Sequence, residues 1–221
     1  PYKESSLLLD VFTRTTGRVT LLARSARKPR SEMRGLLMAF HKLDLSWYGK
    51  GEVKTLVKAE WLGGGQLLGG EALLCGFYLN ELIMRLLARE DPHEELFARY
   101  GSALQELSIR GNEQAALRRF EKGMLRELGY ELRLDRDVVR GERIEPDGYY
   151  LYDPERGPIP VVGNIPEQCI SGRTLIHISR DEFDDARTLH ESKVLMRRLI
   201  DHRLDSRKLE SRRVFKELLE L

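Results

Sequence analysis

The sequence predicts an α+β protein of two domains, a small β-barrel followed by an α-helical domain with an irregular insertion. Short apolar segments bounded by turn residues fill the first 60 positions, and they contain many β-branched and aromatic residues. Beyond residue 70 the apolar residues recur instead at helical spacing. The 221 residues suffice for two domains of ordinary size, and we expect these to span residues 1–65 and 66–221.

The N-terminal segment contains four predicted strands with turn residues between them. The strands are Ser6–Arg14, Arg18–Ala23, Leu36–Tyr48 and Glu52–Trp61. Thr15 to Gly17 joins the first two as a hairpin, a polar loop covers residues 25–34, and Gly49 to Gly51 turns the chain between the last two. Four or five short strands in about 60 residues are typical of a small antiparallel barrel. The first strand of that barrel could lie upstream of Pro1.

The rest of the chain is predicted to be mainly helical, after a glycine-rich boundary at residues 63–70. The helices are Glu71–Arg89, Pro92–Ser108, a third from Asn112 or Glu113 to about Leu128, then Arg180–Asp201 and Ser206–Leu219. The first is apolar nearly all round, which indicates a central position. Asp91 fits the N-cap of the second helix, and Gly129 fits the C-cap of the third. Residues 131–175 are rich in Gly and Pro and form the irregular insertion, with strand-like pieces at 149–152 and 159–162.

The net charge of +2 conceals an uneven distribution of charge. Lys and Arg together number 37, and Asp and Glu number 35. The first 60 residues hold 12 basic and 6 acidic side chains, which leaves 25 basic and 29 acidic side chains in the remainder. A basic first segment indicates that this segment meets a polyanion, while the near-neutral total excludes a histone-like cation.

The sequence lacks the motifs of the common catalytic and cofactor sites. It has no phosphate-binding GxxxxGK[ST], no GxSxG nucleophile and no HExxH zinc motif. The two cysteines, Cys75 and Cys169, fit a reducing compartment and are too few for a four-cysteine zinc site. No apolar run reaches the roughly 20 residues of a membrane helix, and no secretory signal segment opens the chain. We therefore predict no catalytic residue, no metal, no cofactor and no membrane partner.

The most specific feature is a run of cations with a single acid among them. Its members are Arg14, Arg18, Arg24, Arg27, Lys28, Arg30 and Arg34. Arginine suits phosphate because its guanidinium forks around two oxygens, and neutralised phosphates release counterions. On a small barrel this run predicts nucleic-acid binding, with a solvated loop as the alternative. Five aromatic residues could stack on bases, although core packing is favoured for each: Phe12, Phe40, Trp47, Tyr48 and Trp61.

A second basic cluster lies on the helix predicted around Ala115–Tyr130. Its cationic side chains are Arg118, Arg119, Lys122 and Arg126, and they lie opposite an apolar face. The residues alone favour a surface helix whose basic side chains pair with Glu121 and Glu127. The alternative is a docking site for an acidic peptide, since arginine binds carboxylates bidentately.

Several short segments, taken together and in their order along the chain, resemble the RecO family of bacterial recombination mediators. The segments are Ser6–Arg18, Arg24–Arg27, Gly51–Lys54, Tyr78–Leu82, Leu117–Glu121 with Leu128–Tyr130, and Ser211–Phe215. The resemblance covers nearly the whole chain and rests on the ordered set, since no single segment is diagnostic. It implies an N-terminal OB-fold barrel, truncated here in its first strand, and an α-helical domain with an irregular insertion.

The resemblance also implies a function in DNA repair and recombination without catalysis. Members of the family bind single- and double-stranded DNA and anneal complementary strands. With RecR they help load RecA onto strands coated by single-strand-binding protein, whose acidic C-terminal tail they grip. The cations around Arg24–Arg27 fall on the DNA-binding face of the family. Arg118 matches the basic position that contacts the tail in enterobacterial-type members, and Arg119 and Lys122 are further candidates.

Zinc is not expected from the resemblance, and two other functions stay open. Some members carry a four-cysteine zinc site in the insertion, where this chain has only Cys169.

The first alternative function is a non-catalytic protein-interaction scaffold. The second is an OB-fold nucleic-acid-processing enzyme, which would need clustered carboxylates or a nucleophilic lysine in a recognisable motif. We expect a protein of the bacterial cytoplasm that associates with the nucleoid.

Overall fold

The structure, a computed structural model, describes residues 2, 4–64, 67–204 and 208–219. The chain forms two compact units, Pro1–Arg110 and Gly111–Leu221. The N-terminal part is rich in strands and the C-terminal part is mainly helical, so the predicted α+β class is confirmed. The domain boundary predicted at residue 65 and the start of the last helix predicted at Ser206 lie outside the described residues.

The first unit is built on a four-stranded sheet. Its strands are β1 (Leu7–Thr13), β2 (Gly17–Ala23), β3 (Leu43–Tyr48) and β4 (Val53–Trp61), in the spatial order β1-β2-β4-β3. β2 runs parallel to β4, while the other two pairs are antiparallel. The predicted hairpin is confirmed, with Leu7 opposite Ala23 and Thr13 opposite Gly17. Over the described part of the chain, β1 and β3 are the sheet edges, so the sheet is open and no barrel closure is seen.

One face of this sheet carries a hydrophobic core. Val19, Leu21 and Ala23 alternate along β2 and are at most 1% exposed, as strand geometry requires of a buried face. Leu56 of β4 and Ala26 of the following loop complete the buried set. Partly buried residues surround it: Leu7, Leu9, Val11, Met33, Leu37, Leu45, Trp47 and Ala59. Because Ala26 belongs to the core, the loop after β2 is anchored over the end of the sheet where β2 finishes.

The strand predicted over Leu36–Tyr48 is wrong in its first half. Met33–Leu36 forms a short helix, α1, and β3 begins only at Leu43. Phe40 has a positive φ of 67°, which a strand does not allow. Its ring packs edge-on against Phe77, with 5.2 Å between the ring centroids. The contact with a distant helix residue therefore overrides the partly alternating sequence pattern.

Two helices complete the first unit, α2 (Gly70–Leu86) and α3 (Glu94–Leu107). The predicted start of α3 at Pro92 is wrong by two residues, since His93 occupies the N-cap position. The segment before α3 lies against β2 instead, where the Glu90 N–H donates to the Arg18 carbonyl at 3.0 Å. This backbone bond delays the helix and ties the helical part of the unit to its sheet.

Gly17 is required where β2 meets this segment. Its φ is +72°, and a Cβ there would lie 2.0 Å from the carbonyl oxygen of Asp91. Gly17→Ala is therefore expected to add a backbone clash to the strain of a left-handed conformation. We expect the free energy of unfolding to fall by about 3 kcal/mol or more. Urea unfolding followed by circular dichroism measures this loss.

Gly64→Ala is the matched control for Gly17→Ala. Gly64 has a φ of +69°, and a Cβ there would meet nothing within 4 Å. This substitution is expected to cost about 1 kcal/mol, which is the backbone strain alone. Equal losses at the two glycines would contradict the close approach of Asp91 to β2.

The second unit combines helices with a three-stranded sheet. The helices are α4 (Glu113–Glu127), α5 (Gly172–Ser179), α6 (Ala186–Arg203) and α7 (Glu210–Leu219). The strands β5 (Tyr149–Asp153), β6 (Gly157–Pro160) and β7 (Ile170–Ser171) lie within the predicted insertion, in the order β6-β5-β7. α6 packs against both α4 and α5. Phe120, Met124, Leu175 and Met196 of these helices are at most 2% exposed.

The helix predicted over Arg180–Asp201 is confirmed as α6, but its predicted start is six residues early, since α6 begins at Ala186. The preceding helix, α5, ends at Ser179 and is not among the predicted helices; its first half lies where the irregular insertion is expected. Each helix has its own side-chain N-cap, since Ser171 accepts a backbone N–H of α5 and Asp185 accepts one of α6. Gly129 follows the end of α4 with a φ of 82°, as predicted for a residue that terminates a helix.

Candidate nucleic-acid interface

The predicted DNA-binding cations lie at two opposite ends of the N-terminal sheet. Arg14 and Arg18 lie at the turn that joins β1 to β2, whereas residues 24–34 follow the far end of β2. The seven residues of β2 separate these hairpin and loop ends by about 20 Å. Because β4 runs parallel to β2, the turn between β3 and β4 points toward the hairpin end, and Val53 at the start of β4 lies opposite Thr20 in the middle of β2. Trp61, the last residue of β4, lies at the loop end.

The two cations at the hairpin end are engaged within the first unit. Arg14 forms an ion pair with Glu94 at the start of α3. Arg18 donates from Nη1 to the carbonyl oxygen of Met84 in α2. Burial lowers the pKa of the Arg18 guanidinium from its ordinary value, and the nearby Asp10 opposes that shift. These contacts join the sheet to the helices, so Arg14 and Arg18 serve the fold.

The loop end carries five cations on an anchored backbone. They are Arg24, Arg27, Lys28, Arg30 and Arg34, and all five are exposed. Ala26 is completely buried between them, and the Arg27 N–H donates to the Ser5 carbonyl at 2.9 Å. Across the described residues no carboxylate pairs with any of the five, and Arg27 Nη1 donates only to the Glu4 carbonyl, at 3.3 Å. The loop therefore presents uncompensated positive charge from a fixed position, which suits a row of phosphates.

The structure divides the five aromatic residues of this segment into packed and exposed ones. Phe12 and Phe40 pack edge-on against aromatic rings of α3 and α2, and Trp47 joins the core. Tyr48 and Trp61 are each 60% exposed. They lie at opposite ends of the β3–β4 pair, Tyr48 at the turn between the two strands and Trp61 at the last residue of β4.

The arginine predicted to contact an acidic tail is buried in an ion pair. Arg118 is 5% exposed and Glu121 is 1% exposed. Nε and Nη2 of Arg118 lie 2.8 and 2.9 Å from the two carboxylate oxygens of Glu121. This is the i,i+3 pair that the surface-helix alternative predicts, but it lies on the buried side of α4. A peptide carboxylate would have to displace Glu121 in order to reach Arg118.

The other two tail candidates face the segment after α5. Lys122 Nζ donates to the last two carbonyl oxygens of α5 at 2.7 and 3.1 Å and pairs with Asp181 at 2.9 Å. A cation in this position caps a helix C-terminus and is favoured by the helix dipole. Arg119 Cζ lies 5.7 Å from the centroid of the Phe183 ring. Both side chains are half-buried, so they are more accessible than Arg118.

A cavity of about 590 Å³ in the second unit lies beside β5, α5 and α6. Its charged lining residues are Asp147, Arg173, His177, Asp185 and Arg187. His177 lies 3.2 Å from Asp185, and Arg187 lies 2.7 Å from Glu191. Hydrogen bonds from Thr188 hold the pKa of Asp185 below its usual value. Because these charges compensate one another, the cavity offers less free positive charge than the loop end does.

Neither thiol is part of a metal cluster in the described part of the chain, where no group of three His, Cys, Asp or Glu could hold a metal ion. Cys75 is buried and Cys169 is half-buried, and neither forms a disulfide. Burial raises the pKa of the Cys169 thiol. In the same ranges, no helix has the length and apolar character needed to cross a membrane.

Two family models cover the chain. Residues 1–64 match the one described as Recombination protein O N terminal, and residues 68–213 match the one described as Recombination protein O C terminal. The chain belongs to the RecO family. The DNA repair protein RecO of Dechloromonas aromatica is 52% identical over 225 residues, which cover all of this chain and 93% of that relative. The proteins of the same name from Aromatoleum aromaticum and Ralstonia nicotianae are 49% and 44% identical, again over all of this chain and over 92% and 82% of those relatives.

Because the chain is this similar to DNA repair proteins of the RecO family, we assign it a role in DNA repair and recombination. Within this RecO chain, the sequence run from Arg14 to Arg34 is divided by the fold into two groups with different surroundings. The sequence signal for that division is the strand between the two groups of cations, because a strand of seven residues places the residues before it and after it at opposite ends. No sequence signal distinguishes the exposed Trp61 from the packed Trp47.

Proposed function

We propose that this protein is a DNA-binding recombination mediator that works without catalysis. It binds single- and double-stranded DNA at the loop end, anneals complementary strands, and together with RecR assists the loading of RecA onto DNA coated with single-strand-binding protein. One observation carries the proposal, namely the five exposed and uncompensated cations of an anchored loop. Such a protein works on DNA in the nucleoid of the bacterial cytoplasm.

The proposed mechanism is electrostatic. Two complementary strands repel each other through their phosphates, and a cationic loop that neutralises several phosphates lowers this repulsion. Each neutralised phosphate also releases condensed counterions, so the affinity falls steeply as salt rises. No bond is made or broken in this step, and annealing therefore needs no nucleotide.

We further propose that the N-terminal sheet is part of an OB fold within a DNA-binding domain of residues 1–65, with residues 66–221 as the helical domain. The order β1-β2-β4-β3 with one parallel pair supports this, since an OB fold is a five-stranded Greek-key barrel. A strand that paired with both β1 and β3 would close such a barrel. The two family models meet between residues 64 and 68, near the proposed boundary.

For the acidic tail of single-strand-binding protein, we propose docking on α4 through Arg118, Arg119 and Lys122. Arg119 and Lys122 are half-buried, so the tail reaches them more readily than Arg118. Arg118 takes part by exchanging the Glu121 carboxylate for a carboxylate of the tail. The tail thereby raises the effective concentration of the mediator on coated strands.

Strand annealing tests the proposed function. The protein is expected to accelerate the annealing of bare complementary oligonucleotides without nucleotide. On strands coated with single-strand-binding protein, acceleration is expected with the intact coat and is lost with a tail-deleted coat, which is the matched control. A protein that accelerates neither reaction would contradict the mediator function. Equal acceleration on the two coats would contradict only the role of the tail.

A further inference from the structure

Trp61 is an exposed aromatic side chain at the end of the sheet that carries the basic loop. It is the last residue of β4, and its partner across the ladder is Leu43, the first residue of β3. Side chains alternate between the two faces of a strand, so Trp61 shares the face of Ala59, which borders the core. Trp61 extends this apolar face beyond the core, and 60% of its surface is exposed.

The charges around Trp61 are favourable for a polyanion. The neighbouring pair, Asp44 and Glu60, points to the opposite face of the sheet. Lys42 pairs with Leu62 and precedes Leu43, so its exposed side chain points to that opposite face as well. Helix α1, which carries Arg34, packs against β4. The Trp61 ring therefore lies at the end of β4 near the helix that follows the basic loop, while the acids of the neighbouring pair point to the other face.

The Trp61 ring has a neighbouring ring but is not covered by it. The His41 ring centroid lies 6.4 Å from that of Trp61, with 33° between the planes. His41 Nδ1 lies 3.0 Å from the Leu36 carbonyl, which fixes the imidazole. At this distance the two rings are near the outer limit of aromatic pairing, so the indole keeps a face for another flat group.

We infer that Trp61 stacks on an unpaired base of single-stranded DNA whose phosphates contact the loop cations. The inference rests on the proposed DNA binding and adds a second, non-electrostatic contact to it. A nucleotide offers a flat aromatic face next to an anionic phosphate, which matches an exposed indole at the end of the sheet that carries the basic loop. A purely apolar protein surface would match the indole but leave the adjacent cations without partners.

This contact gives the protein a way to prefer single strands. Both faces of a paired base are covered by its neighbours in the duplex, whereas an unpaired base can turn one face to the indole. The phosphates of either form can reach the cations. Trp61 therefore adds affinity for single strands only, and that added affinity does not depend on salt.

Intrinsic fluorescence gives a direct readout, because the chain has two tryptophans and Trp47 is packed in the core. Unlabelled oligo-dT is titrated into the wild-type protein and into Trp61→Phe, and tryptophan emission is recorded. We expect oligo-dT to quench the wild-type emission and to leave the emission of Trp61→Phe nearly unchanged. Phenylalanine keeps a stacking ring, so this variant still binds, and anisotropy of a labelled oligonucleotide confirms that it does.

Trp61→Ala provides the affinity test, with Tyr48→Ala as its matched control. Tyr48 is also 60% exposed but lies at the opposite end of the β3–β4 pair from Trp61. Trp61→Ala is expected to weaken oligo-dT binding by about 5- to 100-fold with an unchanged salt slope and unchanged duplex affinity. Tyr48→Ala is expected to bind both forms like the wild type, and circular dichroism checks that each variant is folded.

The outcomes separate this inference from the proposed function. Wild-type binding of oligo-dT with no quenching, or equal losses of single-strand and duplex affinity in Trp61→Ala, would overturn the stacking contact and leave DNA binding intact. A wild-type protein that binds neither form would overturn the proposed function, and the stacking contact with it.

Discussion

Reversing Arg24, Arg27, Lys28 and Arg30 to Glu is expected to weaken single-stranded DNA binding by at least about 100-fold at 0.1 M salt. Each phosphate contact on a single strand contributes about 0.7 to the slope of log affinity against log salt. Four lost contacts therefore lower that slope by about 3, which corresponds to two to three decades of affinity at 0.1 M salt. The change falls on exposed side chains, so the fold is expected to survive. Anisotropy titrations of a labelled oligonucleotide across a salt series measure both quantities.

A variant with the same change in net charge is the control for this experiment. It reverses four exposed cations that are not part of the basic loop: Arg110, Arg156, Lys193 and Arg197. If charge near the loop end determines binding, this control keeps most of the affinity and most of the salt slope. Equal losses in the two variants would show that net charge alone governs binding, and the assignment of the loop would then be wrong.

Arg118→Ala is expected to lower the free energy of unfolding by about 3–5 kcal/mol. The substitution removes the ion-pair partner of the Glu121 carboxylate, which is 1% exposed. Breaking a buried ion pair from one side is strongly destabilising, because an uncompensated charge stays behind. Urea unfolding followed by circular dichroism measures this effect. Unchanged stability in Arg118→Ala would contradict the buried pair.

The double variant Arg118→Met/Glu121→Leu separates stability from docking. Replacing both members of a buried pair by apolar residues is often neutral, so this variant should regain most of the lost stability. If Arg118 also binds the acidic tail, the double variant folds but binds a tail peptide more weakly, while its affinity for bare DNA stays at the wild-type level. Calorimetry with the peptide decides the point, and full peptide affinity in the folded double variant would remove Arg118 from the docking site.

Local sequence signals predict the elements of the N-terminal sheet well. The turn at Thr15 to Gly17 fixes the β1–β2 hairpin, because Gly17 alone permits its positive φ there and the close approach of Asp91. Local signals fail at Phe40, whose conformation depends on a ring contact with Phe77 from another helix. They also fail at the start of α3, which a backbone bond between Glu90 and β2 delays.

The sequence predicts which basic residues belong to the candidate sites, but it does not predict the contacts and burial of their side chains. The cations around Arg27 follow from composition, while the engagement of Arg14 and Arg18 by α3 and α2 depends on tertiary packing. Likewise, a basic face on α4 is visible in the sequence. The burial of Arg118 against Glu121 depends instead on how that helix packs in the second unit, which helical periodicity does not specify.

DNA is expected to bind at the loop end of the sheet and not at the hairpin end. Lys28 lies in the basic loop and Lys50 in the turn between β3 and β4, and both side chains are exposed. Acetylation of the native protein with and without an oligonucleotide, read out residue by residue by mass spectrometry, compares the two directly. We predict that bound DNA protects Lys28 strongly and leaves the reactivity of Lys50 unchanged. Protection of Lys50 with full reactivity at Lys28 would contradict DNA binding at the loop end.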